Sequence, residues 1–411
     1  MNTPMPPADP AGIGLARLVA AHREARMFYR DQLLRANGPR RYLADRGLGT
    51  LTQPNQPRTR GIDAPWHLGY APPGWTNLVD HLTAAGYTPT ELVAAGLATP
   101  SRTGHIVDLF RDRIMFPIHN QDGHPIAFLG RAAPTAGPDV PKYLNNPDTI
   151  AYHKGQTLYG RGEQGDRIAA GAAPTLVEGP VDVLAVWLAH PDATRIAVAA
   201  CGTGLTAHHA TAVAAMPGAH RHGVTTALDN DDAGRKATQR AWQLLSAHPG
   251  LNLYAATLPD HTDPGDLITS PTNTATLRAA LTEHARPLVQ AVIDIRLDQL
   301  TTRRPDLLRW IEGRLQAARA LAGLITNLPA DQIVPLTRYI AQRTDTGFDT
   351  VAHAVIDHLE RAPPARAHAA IVVALDLSRR PRTFPPPGAP ATRPAARLGA
   401  ALSRRPPRHT R

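Results

Sequence analysis

Residues 174–188 read PTLVEGPVDVLAVWL, residues 195–206 read RIAVAACGTGLT, and residues 223–236 read GVTTALDNDDAGRK. In the first, a short apolar run ends on Glu178, Gly179 and Pro180 turn the chain, and Val181, Leu184, Ala185 and Leu188 recur at helical spacing. The second runs into Cys201-Gly202-Thr203-Gly204 and the third into Asp229-Asn230-Asp231-Asp232, each followed by a helical pattern. Strand, turn and helix repeated three times predict an α/β unit with a parallel sheet. Such sheets bind ligands outside the carboxyl ends of their strands, so Glu178, Asp229 and Asp231 are expected at one crevice. Clustered carboxylates repel unless a cation separates them, and oxygen donors without histidine or cysteine favour Mg²⁺ or Mn²⁺ over zinc. The Asp-rich loop alone reads equally well as a solvated helix cap; Glu178, in register one βα unit away, favours the metal. Gly202-Thr203-Gly204 lacks the Lys-Ser/Thr of a nucleotide-binding phosphate loop.

The rest of the composition narrows the class. At 411 residues the chain has room for two or three domains, and its single cysteine excludes a disulfide scaffold and a cysteine-based zinc site. No apolar run approaches the 18 or so residues of a membrane span, so a soluble, cytoplasmic protein is expected, with no membrane partner. The net charge of +10 is compatible with a polyanionic partner. It also follows from a composition in which Ala, Pro, Gly and Arg are inflated together, so charge alone does not identify nucleic acid.

The motifs resemble those of the catalytic core of bacterial DnaG-type primases, centred on the TOPRIM domain. EGPVDVLAV (178–186) is similar to the family's EGYMDVIAL, GTGLTAHH (202–209) to GTALTxxH, and DNDDAGRKA (229–237) to DGDxAGxKA. Upstream, RDRIMFPIHNQDGHPIAFLGR (111–131) resembles FRxRIMFPIxDxxGxxIGFGGR, and PKYLNNPDTIAYHKGQTLYG (141–160) resembles PKYLNSPETxxFHKGxxLYG. RRYLADRGL (40–48) and WHLGYAP (66–72) extend the likeness, which covers roughly residues 40–270.

This resemblance implies a TOPRIM domain with a parallel Rossmann-like sheet over 166–274. A mixed α+β primase N-terminal subdomain with a basic face is expected before it, at 37–165, and a small helical subdomain after it, at 275–360. Residues 1–36 read as a disordered leader and a helix, and 361–411 as a Pro/Arg-rich, largely disordered tail able to bind nucleic acid non-specifically. In the order of the chain, Asp-Gly at 122–123 predicts a hairpin between apolar strands. Arg111, Arg113 and Arg131, with Lys142 and Lys154 on adjoining loops, would form a basic face for nucleic-acid or nucleotide phosphates. Lys236 opens the helix after the acidic loop and joins that set. Tyr143, Asn145 and His153 are read as shaping their loop, Tyr159 as a core aromatic, Cys201 as a small core residue, and His208 and His209 as surface groups.

The implied function is a DNA primase: metal-dependent, template-directed synthesis of RNA primers on single-stranded DNA from nucleoside triphosphates. Glu178, Asp229, Asp231 and Asp182 would be catalytic, and Glu178, Asp229, Asp231, Asp263 and Asp266 would hold Mg²⁺ or Mn²⁺. The sequence departs from the family in two places. Asp263-Pro264-Gly265-Asp266 stands where DPD is usual, so Gly265 replaces an acid and Asp266 lies one residue along. The zinc-binding domain that opens a full bacterial primase is missing, so no zinc is expected. Either a separate zinc-domain or initiation partner supplies that function or this protein initiates differently; a replicative helicase is the other candidate partner. A TOPRIM nuclease and a non-catalytic nucleic-acid-binding adaptor of a plasmid or other mobile element remain as alternatives.

Overall fold

The computed structural model describes residues 12–52, 66–133, 136–137, 139–202 and 204–360. The expected leader and the expected nucleic-acid-binding tail lie outside the described residues. Apolar positions spaced three or four apart make α1 (Leu15–Arg35), which buries Leu18, Ala21, Ala25, Tyr29 and Leu33 in one stripe. Leu15, at the first turn of the helix, stays exposed. After α2 (Asn37–Asp45) come β1 (Gly69–Ala71), α3 (Asn77–Ala84) and α4 (Pro89–Ala94). Thr88 and Glu91 cap α4 reciprocally, each side chain bonding the other's backbone N–H. A two-stranded pair, β2 (Ala98–Pro100) and β3 (Ile106–Asp108), precedes the predicted hairpin, β4 (Arg113–His119) and β5 (Pro125–Ala132), and then β6 (Tyr143–Asn145).

The hairpin belongs to a four-stranded antiparallel sheet in the order β1-β4-β5-β6, with Phe116 opposite Leu129. Every residue of β4 and β5 is buried. On one face Met115 and Phe128 pack with Leu18 and Tyr29 of α1. On the other, Ile114, Phe116 and Leu129 share a core with Val181 and Leu184 of the following unit. A hairpin expected to display a basic surface is therefore an interior layer.

The following unit contains α5 (Gly165–Ala169), β7 (Ala173–Val177), α6 (Pro180–Ala189), β8 (Arg195–Ala199), α7 (Ala207–Ala214), α8 (Pro217–His222), β9 (Val224–Ala227), α9 (Asp232–Leu245) and β10 (Leu253–Ala255). After α10 (Pro271–Leu281), β11 (Arg286–Pro287) joins the edge antiparallel, giving a five-stranded sheet in the order β11-β10-β9-β7-β8. The chain moves from β7 outward to β8 and returns to place β9 on the other side of β7, both neighbours running parallel to it. That reversal between β7 and β9 is a topological switch point, where the following loops diverge and leave a crevice. Helix α6 is almost wholly buried, wedged between this sheet and the antiparallel one. Residues of α7, α8 and α9 cover the opposite face, against Leu176, Ile196 and Val198.

Helices α11 (Leu288–Arg303), α12 (Ile311–Ala322), α13 (Ala330–Thr344) and α14 (Phe348–Glu360) form the expected helical unit around Ile293, Leu297, Leu321, Ile340 and Val355. Among the described residues no helix is long and apolar enough to cross a membrane.

Candidate metal and phosphate site

Val177 pairs in register with Ala227, so the residues that follow, Glu178 and Asp229, leave neighbouring strands side by side at the switch point. Glu178 Oε1 accepts a hydrogen bond from the Asp229 backbone N–H at 3.0 Å. Asp231 caps α9, its Oδ1 accepting from Gly234 N–H at 2.8 Å. Gly234 is required by space: a Cβ there would lie 1.9 Å from the Asp229 carbonyl oxygen and 2.9 Å from Glu178 Oε1. The loop after β10 brings in Asp263, whose Oδ1 accepts from Asp266 N–H at 2.8 Å. Burial, with the nearby charges of Glu178, Asp263 and Asp231, pushes the Asp229 carboxyl up to about 6.

Asp182 differs from the other acids. It is 7% exposed, and its two oxygens accept from Gly179 N–H at 3.1 Å and Gly265 N–H at 3.2 Å. It thereby ties the β7–α6 turn to the loop carrying Asp263. Burial, followed by the charges of Asp263 and Asp229, pushes its carboxyl up to about 8.

These donors fit a hard divalent cation. They are carboxylate oxygens alone, and burial together with the neighbouring acids holds Asp229 above its ordinary range. Among the described residues no three acidic, histidine or cysteine side chains enclose a metal by themselves. An open set of this kind suits Mg²⁺, which keeps several waters and takes phosphate oxygens as ligands. Asp266 points elsewhere: it is exposed and pairs with Arg46 Nη1 at 3.3 Å. At Gly265 a Cβ would lie 2.7 Å from Val181 Cγ1 and 3.1 Å from Asp263 Oδ1, so a side chain there would have to displace its neighbours.

The expected basic residues differ in their placement. Arg131 lies beside the crevice: its Nη1 donates to Tyr143 Oη at 2.6 Å, and a Cβ on Gly179, next to Glu178, would be 3.7 Å from that oxygen. Lys142 is exposed, its Nζ 6.0 Å from the Tyr143 ring centroid, and Lys236 is exposed on α9. Arg111 stacks over Trp75 at 4.4 Å and donates to the Asp108 carbonyl. Lys154 is half-buried, in a loop whose backbone is held by Asp148 and His209. Arg113 corrects the expectation. It is 5% exposed and its Nη1 donates to the Gly130 and Pro141 carbonyls at 3.1 and 2.9 Å. Because both faces of β4 are covered, this guanidinium braces the sheet and does not reach a phosphate.

Tyr143 and Asn145 shape their loop as read: Asn145 Nδ2 donates to the Cys201 carbonyl at 2.6 Å, and Asn145 Oδ1 accepts from Tyr152 Oη at 3.0 Å. The block containing β6 is thus stitched to the end of β8. Cys201 and Tyr159 are buried core residues. His209, read as a surface group, is fully buried; its Nε2 lies 3.1 Å from the Lys154 carbonyl oxygen, across a separation no local pattern reveals. Sequence reasoning also missed Trp75, which is 64% exposed beneath Arg111. An aromatic just before a helix carries no local mark of exposure.

Comparison with known proteins follows the same division. A family model described as the DNA primase catalytic core, N-terminal domain, matches residues 28–164, and one described as Toprim-like matches 175–268. A DNA primase of Pseudomonas aeruginosa is 33% identical over 342 residues, covering 81% of this chain and 46% of that protein. A DNA primase of Streptomyces coelicolor is 36% identical over 262 residues, covering 61% of this chain and 37% of the relative. The chain thus spans about half the length, or less, of these curated relatives. Among solved structures, the RNA polymerase domain of Mycobacterium tuberculosis primase DnaG superposes with a TM-score of 0.62 at 27% identity, covering 80% of this chain and 99% of that one. A DnaG primase catalytic domain bound to single-stranded DNA superposes with a TM-score of 0.60 at 30% identity, covering 80% of this chain and 96% of that one.

Proposed function

This chain belongs to the DnaG-type primase catalytic-core family, and from that premise we propose that it synthesises RNA primers on single-stranded DNA by metal-dependent, template-directed ribonucleotidyl transfer. The observation that carries this reading is the meeting of Glu178, Asp229, Asp231 and Asp263 at one switch point with Arg131 beside it. Glu178, Asp229 and Asp263 would hold Mg²⁺ or Mn²⁺, with Asp231 dividing its oxygens between the ion and the α9 cap. Divalent ions there would activate a primer 3′-hydroxyl and stabilise charge on the α-phosphate and the departing pyrophosphate. Arg131 and Lys142 would hold phosphates of the template or nucleotide, and Lys236 those nearer α9. Arg111 on Trp75 offers a cation and an aromatic surface for a single strand.

Asp182 acts as a positioning residue that fixes the two acidic loops relative to each other. Asp266 does not replace the acid missing at Gly265, because its carboxylate is committed to Arg46 and to the Asp263 backbone. The second metal position therefore rests on Asp263 and on phosphate oxygens. A replicative helicase and a separate zinc-domain or initiation protein are the candidate protein partners of this reading.

The test is ribonucleotide incorporation on single-stranded DNA with Mg²⁺ or Mn²⁺, with and without an annealed primer, comparing wild type with Glu178→Gln. Synthesis by wild type, reduced at least about a hundredfold in the variant with DNA affinity retained, is expected. Extension confined to the annealed primer would assign initiation to a partner. If neither substrate is extended while DNA is still bound, the reading is wrong.

A further inference from the structure

A cavity of about 380 Å³ opens between α2 and the β1–β4 edge, within the range of small-molecule sites, about 300–1,000 Å³. Tyr42, Tyr70 and Ile114 supply its apolar walls, and the exposed Asp45, Asp112 and Arg41 supply its rim. The mechanism above uses none of them. Asp112 holds a left-handed backbone, φ 50°, which aspartate tolerates better than most residues. Its Oδ1 accepts from Tyr70 Oη at 2.7 Å, which fixes the carboxylate at the cavity mouth. The guanidinium carbons of Arg46 and Arg131 lie 6.0 and 5.9 Å from the Tyr42 ring centroid. A nucleotide seated here would have cations next to its phosphate. Through Arg46 and Asp266 the cavity is also linked to the loop that carries Asp263.

We infer that this cavity holds one nucleobase bearing an exocyclic amino group where thymine and uracil bear O4: cytosine or adenine in preference to thymine or uracil. Aromatic walls accept any base by its face, so stacking supplies binding without selectivity. The two carboxylates of the rim, Asp45 and Asp112, supply the selectivity. Ionised carboxylates only accept hydrogen bonds, and an acidic side chain accepts from the cytosine amino group. Thymine and uracil present a carbonyl oxygen at that position, which would meet the carboxylate oxygens of Asp45 and Asp112 without a proton between them. Adenine retains an amino donor there. The inference rests on the proposed use of nucleotides and does not depend on catalysis. The base can belong to the template strand or to an incoming nucleotide, and binding to each separates the two.

The experiment measures equilibrium binding of the full chain to labelled oligo(dC) and oligo(dT) of equal length, and to CTP and UTP with Mg²⁺. Wild type, the double variant Asp45→Ala/Asp112→Ala, and Tyr70→Phe are compared, with folding checked by circular dichroism. Wild type is expected to prefer the amino-bearing base by about tenfold. The double variant should lose that preference, and Tyr70→Phe, which keeps the ring and frees the Asp112 carboxylate, should retain it. A preference among oligonucleotides places a template base in the cavity; one confined to CTP over UTP places the incoming base there. Equal binding of both bases in both formats, or a preference unchanged in the double variant, overturns the inference. A chain that shows the preference but fails to extend any primer would leave the cavity assigned and remove the priming reaction.

Discussion

Asp229 carries the conflict on which a metal site depends. Burial and three neighbouring acids push its carboxyl up to about 6, so near neutral pH its ionised form costs stability when no cation is present. With a folded-state value above the ordinary carboxylate range, that cost appears as pH rises through about 6 and is relieved below about 4. Asp229→Asn is therefore expected to stabilise the metal-free chain by roughly 1–2 kcal/mol, allowing for solvent screening of a half-exposed group. It should also abolish the rise in melting temperature that Mg²⁺ is expected to give the wild type and cut primer synthesis at least about a hundredfold. Thermal melts with and without Mg²⁺ check this; an undiminished response to Mg²⁺ in the variant would move the cation away from Asp229. Glu178 and Asp229 were legible in the sequence because each follows an apolar run directly. The division of labour among the acids was not: that Asp182 ties two loops and Asp266 pairs with Arg46 depends on residues 83 and 220 positions away.

The hairpin β4–β5 shows what element-level reading can and cannot supply. Its strands and turn follow from apolar runs around Asp122-Gly123, and both formed. Its role did not follow, because continuous apolar strands carrying arginines leave open which face is wet. With α1 on one side and α6 on the other, Arg113 becomes a brace held by backbone carbonyls, while Arg131, also buried, donates to Tyr143. Two substitutions separate these roles. Arg113→Gln should cost roughly 2–4 kcal/mol of stability, since it leaves buried carbonyls unpaired, without changing the salt dependence of DNA binding. Lys142→Ala should leave stability within about 0.5 kcal/mol and reduce the slope of log affinity against log salt by about 1. Chemical denaturation and salt titrations of DNA binding measure both, and an unchanged slope for Lys142→Ala would take that lysine off the phosphate track.

For the molecule as a whole, buried titratable groups set its response to acid, and they act in opposite directions. Burial lowers His190, whose Nδ1 lies 3.0 Å from the Val186 carbonyl oxygen, to about 4, and it lowers His22 likewise. Stability tied to these neutral imidazoles is complete above about 6.5 and is lost as pH falls through about 4. Asp108, which accepts from Leu78 and Val79 N–H, is pushed up to about 6 by burial, so its contribution has the reverse sign. The net profile mixes both, and the comparison of variants isolates one. Between pH 7 and pH 5, His190→Gln should gain about 2 kcal/mol relative to wild type, read from denaturation at the two pH values; no relative gain would mean that the imidazole stays neutral in the unfolded chain or charges in the folded one. By itself the sequence determined the parallel α/β unit, the hairpin, the helical unit and the positions of the acids at strand ends. Those features follow from side-chain periodicity and turn chemistry, which act over a few residues. Only the tertiary structure decided that Arg113 and His209 are interior, that Arg46 engages Asp266, and that Tyr42, Tyr70 and Asp112 share one cavity. Each of those depends on which surfaces the folded layers bring together, and contacts between residues distant in the chain leave no mark on local spacing.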